Sequence, residues 1–208
     1  FGTVGSNNEL PDGTGDASEV CVIRLYNFSA QSPESFRQAL RQFIYSGKNK
    51  LILDLRGNPG GYLEAAVDMA SWFLPPGKVV VSEEFAGGEE KKVHRSRGYD
   101  VFNKNLKMVI LVDGGSASAS EILAGALSEQ GVATLVGTKT FGKGSVQELV
   151  PITDNTSLKV TVARWLTPNG ISISEQGLEP AVPVEITKKD VEEEKDPQLL
   201  KAIEVLGS

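Results

Sequence analysis

Residues 137–147 read GTKTFGKGSVQ, and Gly137, Gly142 and Lys143 fall at the spacing G-x-x-x-x-G-K of a phosphate-binding loop. Such a loop cradles phosphates with backbone N–H groups and needs Ser or Thr after its lysine to hold Mg²⁺. Here that position is Gly144, and SVQELVPI beyond it alternates like a strand, where a phosphate loop would open a helix. Asp54, at the end of LILDL, gives only weak support for a metal-holding acid. The other chemistry open to Lys143 is proton transfer. A lysine replaces histidine as a general base when it is held neutral, which takes burial or a nearby cation. Phe141 and the flanking glycines, with no acid in residues 138–147, suit a desolvated amine.

A base needs a nucleophile, and GGSASASEI at residues 114–122 offers one. An apolar strand runs into Gly114 and Gly115, and a helix is expected to begin near Ser118. Ser118 and Glu121 satisfy a capping box, the commoner use of such a pattern. The alternative is a nucleophile at a helix N-terminus, where free N–H groups, starting with that of Ala119, favour a developing oxyanion. A third glycine turn, residues 57–61, also follows an apolar strand, and such turns present backbone donors and reactive side chains together. The remaining candidates are poor. His94 is the only histidine, set in the basic run KKVHRSR, which reads as a solvated hairpin arm. Cys21 is the only cysteine, in the apolar run VCVIRLY, and reads as an inert thiol. No metal site or cofactor site is indicated.

The elements that must position these residues alternate between strand and helix. VCVIRLYNF reads as a buried strand, and SPESFRQALRQFIYSGK as a helix capped by Ser32, with Pro33 first and Gly47 as its stop. Phe36, Leu40, Phe43 and Ile44 give that helix an apolar face. KLILDL is a strand and LEAAVDMASWFL a helix halted by Pro75. KVVVSEEF and KKVHRS form a hairpin about AGGEE. LKMVILV and VATLVGT are strands about the helix that starts near Ser118, and SVQELVPI and SLKVTVARWLTP are two further strands. The charged end, with its short amphipathic helix, reads as a solvated tail. The class is therefore α/β, or mixed α+β with a substantial sheet.

Composition fits one domain of ordinary soluble type: 208 residues, 40% hydrophobic, 23% charged, net charge −6. That balance speaks against a nucleic-acid partner, and no apolar run reaches the ~20 residues of a membrane span. Residues 1–18, rich in Gly, Asn, Asp and Ser, read as a flexible lead-in. The first residue is Phe1, so the chain is taken as a fragment or processed form.

LILDLRGNPGG, GGSASASEILAGAL, VGTKTFGKGSVQ and RWLTPNG occur in the order and at about the separations found in the carboxyl-terminal processing peptidases. The chain resembles these tail-specific serine proteases of family S41 over residues 20–206. The resemblance implies a crotonase-like ββα superhelical core and a Ser-Lys dyad, with Ser118 as nucleophile, Lys143 as base and Gln147 assisting. It implies oxyanion donors from the backbone of Ala119 and of Gly60 or Gly61. The substrate would be a protein or peptide bound in extended form and cut near its C-terminus, with no cofactor and with a homo-oligomer left open. The expected location is extracytoplasmic, in a bacterial envelope or a thylakoid lumen. Family members carry a PDZ domain before the first strand, where this chain has only its polar lead-in. The resemblance therefore leaves a second expectation, an inert or binding module that keeps the peptidase fold.

Overall fold

A computed structural model describes residues 19–85, 90–99, 101–102, 105–153, 155–174 and 176–207. The expected lead-in at 1–18 and most of the hairpin tip, 86–89, lie outside the described residues. In chain order the first elements are β1 (Val20–Arg24), α1 (Ser32–Tyr45), β2 (Lys50–Asp54), α2 (Leu63–Ala70), β3 (Val79–Phe85) and β4 (Lys92–Arg95). Then come β5 (Lys107–Val112), α3 (Ala119–Glu129), β6 (Ala133–Gly137), β7 (Ser145–Thr153) and β8 (Thr156–Leu166). The last are β9 (Val182–Pro183), α4 (Lys188–Glu192) and α5 (Pro197–Gly207). Strands and helices alternate as expected, in a mixed α/β fold.

Two sheets divide the strands. One is parallel throughout, in the order β1-β2-β5-β6-β9, and the other is antiparallel, in the order β4-β3-β8-β7. Parallel strands covered on both faces need apolar residues at successive positions, which is why LILDL and KMVILV carry almost no alternation. Leu51, Leu53, Met108, Ile110 and Val112 face one way, into a core with Phe36, Leu40 and Phe43 of α1, Met69 of α2 and Leu123 and Leu127 of α3. Ile52, Val109, Leu111 and Val136 face the other way.

That second face corrects the reading of the chain's end. Leu199, Ala202 and Leu206 of α5 are buried against Ile52, Val109, Leu111 and Val136, so the helix is a layer of the domain and not a solvated tail. Each buried leucine contributes about 1.5–3 kcal/mol. Only the α4 segment fits the solvated reading, with no buried residue. Two smaller differences follow the same logic of packing over local pattern. Ser32 lies inside α1, its hydroxyl donating to Ser29 O (2.8 Å), and Gln31 takes the cap position. Ile44 of the expected apolar face is exposed.

A tether joins the start of α5 to the end of β2. Arg56 donates to Asp54 Oδ1 and Oδ2 (2.9 and 2.8 Å) through Nε and one terminal nitrogen, and to Asp196 Oδ1 (2.9 Å) through the other. Asp54 is thus paired with guanidinium and not set to hold a metal. Burial raises the Asp196 carboxyl, but hydrogen bonds from Arg56 and the Leu199 N–H outweigh it and leave it below the usual carboxylate range. A depressed carboxylate pKa stabilises the fold above the unfolded value, ~3.9, and that contribution is lost as pH falls through the folded value. Asp196→Asn is therefore expected to lower stability by about 1 kcal/mol near neutrality. The gap to the parent chain should close below pH ~4, read from urea midpoints at pH 7 and 3.

Candidate active site

Parallel pairing sets the carboxyl ends of β2, β5 and β6 along one edge: Asp54 pairs with Leu111, and Val112 with Gly137. The three glycine turns singled out in the sequence therefore leave the sheet side by side, where open α/β sheets place their ligands. Hydrogen bonds then stitch them together. Asp113 Oδ1 accepts from Gly57 N (2.8 Å) and Gly115 N (2.9 Å). Ser116 Oγ donates to Leu55 O (2.8 Å), and Phe141 N donates to Ser116 O (3.0 Å). Asn58, fully buried, is the central strut of the first turn. Its side chain donates to Leu25 O (2.7 Å) and accepts from Gly60 N (2.9 Å). Its carbonyl accepts from Ala117 N (3.0 Å) and Ser120 Oγ (2.9 Å).

Ser118 sits at the junction of β5's turn and α3 with φ 55° and ψ −116°. A non-glycine residue rarely adopts such a backbone, and strain of this kind collects at functional sites. Gly60 lies directly against it. A Cβ built on Gly60, whose φ is +94°, would come within 2.5 Å of Ala117 O and 2.8 Å of both Ala119 N and Ser118 Cβ. Among the expected oxyanion donors, Gly60 N–H is already given to Asn58 Oδ1 (2.9 Å). Those of Gly61 and Ala119 find no acceptor among the described residues.

Glu121, fully buried one turn into α3, joins this serine to the loop that carries Lys143. Its Oε2 accepts from Ser118 N (2.9 Å) and Lys143 N (3.0 Å), and its Oε1 from Thr140 Oγ1 (2.6 Å) and Gly142 N (2.7 Å). Ser118 and Lys143, twenty-five positions apart in sequence, thus hang from one oxygen atom. The Lys143 side chain is exposed, unlike the desolvated setting expected of it, and its amine makes no hydrogen bond with the Ser118 hydroxyl. Gln147 is also exposed, on β7 beside an irregularity in its pairing with β8. Irregular pairing of this kind re-aims side chains next to active sites.

His94 and Cys21 are not brought here. His94 lies on β4 of the antiparallel sheet, in the expected hairpin, but its ring is largely buried against Trp165, with Nε2 2.6 Å from Glu83 Oε1. Burial pushes the Cys21 thiol up, with Lys48 pulling the other way. Asn58 and Asp113 were missed as structural parts of the site. The signal for Asn58 was the Asn-Pro pair inside a glycine turn. Asp113 had a weaker one, an acid between a strand end and Gly114.

These features define an α/β domain with a serine of unusual backbone conformation at a helix start, packed against a glycine turn at the carboxyl ends of parallel strands. The chain belongs to peptidase family S41, which matches residues 19–184. It is 37% identical over 183 residues to the carboxy-terminal processing protease CtpB of Bacillus subtilis, covering 85% of this chain and 38% of that protein. It is 39% identical over 198 residues to a carboxyl-terminal-processing protease of Synechocystis, covering 94% of this chain and 45% of that one. The solved photosystem II D1 C-terminal processing protease is similar with a TM-score of 0.75 and 31% identity, over 96% of this chain and 49% of the other. The chain thus spans less than half the length of each of these relatives. Among the described residues no helix is long and apolar enough to cross a membrane.

Proposed function

We propose that this chain is the catalytic core of a serine endopeptidase that cuts polypeptides near their C-termini. The observation that carries the reading is the strained Ser118 held through Glu121 to the backbone of Lys143. In this mechanism neutral Lys143 takes the proton of Ser118 Oγ as that oxygen bonds to the scissile carbonyl carbon. The carbonyl oxygen becomes an oxyanion and receives the N–H groups of Gly61 and Ala119, while Gly60 leaves the space beside them. The tetrahedral species collapses, the C–N bond breaks, and the lysine ammonium returns its proton to the leaving amine. Water, deprotonated by Lys143, then releases the acid and restores Ser118. Gln147 orients the lysine amine.

The exposed amine fits a substrate that completes the site. A bound polypeptide covers Lys143 and excludes water from the reacting atoms. β7 begins two residues after Lys143 and is the outer strand of its sheet, so its free edge suits a substrate lying extended. We take residues 19–208 as one catalytic domain with a crotonase-like ββα superhelical core, preceded by a linker at 1–18. We place it outside the cytoplasm, in a bacterial envelope or thylakoid lumen, on its likeness to carboxyl-terminal processing proteases of bacteria and to the photosystem II D1 processing protease.

The test is hydrolysis of denatured casein. The parent chain should cleave it, and Ser118→Ala and Lys143→Ala should each lose at least ~10³-fold in rate while keeping the parent's melting profile. Full activity in either variant overturns the dyad. A second reading, a peptidase fold that binds without cutting, is favoured only by the open Ser118–Lys143 geometry. It would show as a parent chain no more active than Ser118→Ala.

A further inference from the structure

We propose that Glu121 is the positioning residue of this site, setting the Lys143 loop against Ser118 through the backbone without touching substrate. The inference rests on Ser118 and Lys143 as the reacting pair. A glutamate that merely caps α3 needs one bond, back to the Ser118 N–H. Glu121 makes that bond and three more, all to residues 140–143. The carboxylate thus serves the loop more than the helix.

Three features make the clamp stiff. Each carboxylate oxygen holds two donors, and all four come from backbone or hydroxyl groups, with no Lys or Arg side chain that could swing away. The group is fully buried, so water cannot substitute for a lost donor without opening the site. The loop is also fixed from its other side, where Thr140 N donates to Leu178 O (3.1 Å) and Leu178 N to Thr140 Oγ1 (2.7 Å). Thr140 Oγ1 therefore relays between residue 178 and the carboxylate. Because Oε2 is shared by Ser118 N and Lys143 N, those nitrogens are no farther apart than the sum of two hydrogen bonds.

Glu121→Gln keeps the size of the side chain but sets an NH₂ group against one pair of donors, so that pair loses its acceptor. The base then shifts against the nucleophile, and misplacement on the order of 1 Å costs ~10²-fold in rate. On a short peptide substrate, kcat should fall about 10–100-fold with KM within about twofold of the parent. The rate of Ser118 labelling by a fluorophosphonate should fall in parallel. Loss of fold would instead remove activity and the melting transition together. If Glu121→Gln does not fold, Thr140→Val is read in its place, with a kcat loss of about 3–10-fold at unchanged KM. A folded Glu121→Gln with parental kcat, while Ser118→Ala is inactive, overturns the positioning role alone. If Ser118→Ala is as active as the parent, the peptidase reading fails and this inference falls with it.

Discussion

Gly60→Ala is expected to cut hydrolysis by about 10²–10³-fold and to melt well below the parent chain. Two separate costs meet at this position. The first is conformational: at φ +94° an L side chain is strained by about 1–2 kcal/mol wherever it stands. The second is contact, since the new Cβ would lie 2.5 Å from Ala117 O and 2.8 Å from Ala119 N. Neither neighbour is the yielding end of a side chain. The turn cannot retreat freely either, because Phe28 N donates to Gly60 O (2.9 Å) and Gly60 N to Asn58 Oδ1 (2.9 Å). Whatever gives way moves Ala119 N or the adjoining Gly61, and one lost oxyanion donor costs about 10²–10³-fold in kcat. Gly131→Ala separates the two costs. Gly131 has φ +73° with nothing near its would-be Cβ, so that variant carries the conformational cost alone. Should Gly60→Ala melt like Gly131→Ala and still cleave casein, the close approach of the two turns has no part in catalysis.

The strands and the main helices could be read from sequence because their cause is local. The runs LILDL and KMVILV are apolar at successive positions apart from Asp54 and Lys107, which suits strands covered on both faces, and glycine turns end them. The three turns could be recognised one by one, but their meeting depends on strand order, which no local pattern encodes. Glu121 shows the limit most clearly. Its spacing from Ser118 marks a capping box, and that bond exists, yet three of its four bonds reach residues 140–143 and carry no signal at i+3. The end of the chain was misread for a related reason. Its charged run is solvated as expected, but α5 beyond it finds an apolar face only once β2, β5 and β6 are side by side. His94 likewise looked solvated among lysines and arginines, whereas in the folded sheet its ring meets Glu83 and Trp165.

Arg56→Met should destabilise the domain by about 3–5 kcal/mol, a large share of the ~5–15 kcal/mol that holds such a fold together. Burial alone lowers the guanidinium's pKa, but the hydrogen bonds it donates to Asp54 and Asp196 reverse that and raise it above its ordinary value. Methionine keeps much of the apolar stem and removes the fork. Asp54, 3% exposed, is then left as a buried carboxylate that keeps the backbone N–H of residue 56 (3.0 Å) and has Arg24 at 3.7 Å, but loses its bidentate guanidinium. Asp196 and Gln198, at the start of α5, lose their anchor to the segment leading into the 57–61 turn. Stability and site geometry should therefore fail together, with casein cleavage falling at temperatures where the parent chain is still folded. Arg56→Lys restores the charge but not the bidentate geometry, and should recover only part of the loss. The double variant Arg56→Met, Asp54→Asn decides whether the orphaned carboxylate is the cause. Removing the stranded charge should raise the urea midpoint above that of Arg56→Met alone, a positive coupling between contacting residues. A midpoint no higher in the double variant would assign the loss to the α5 anchor instead.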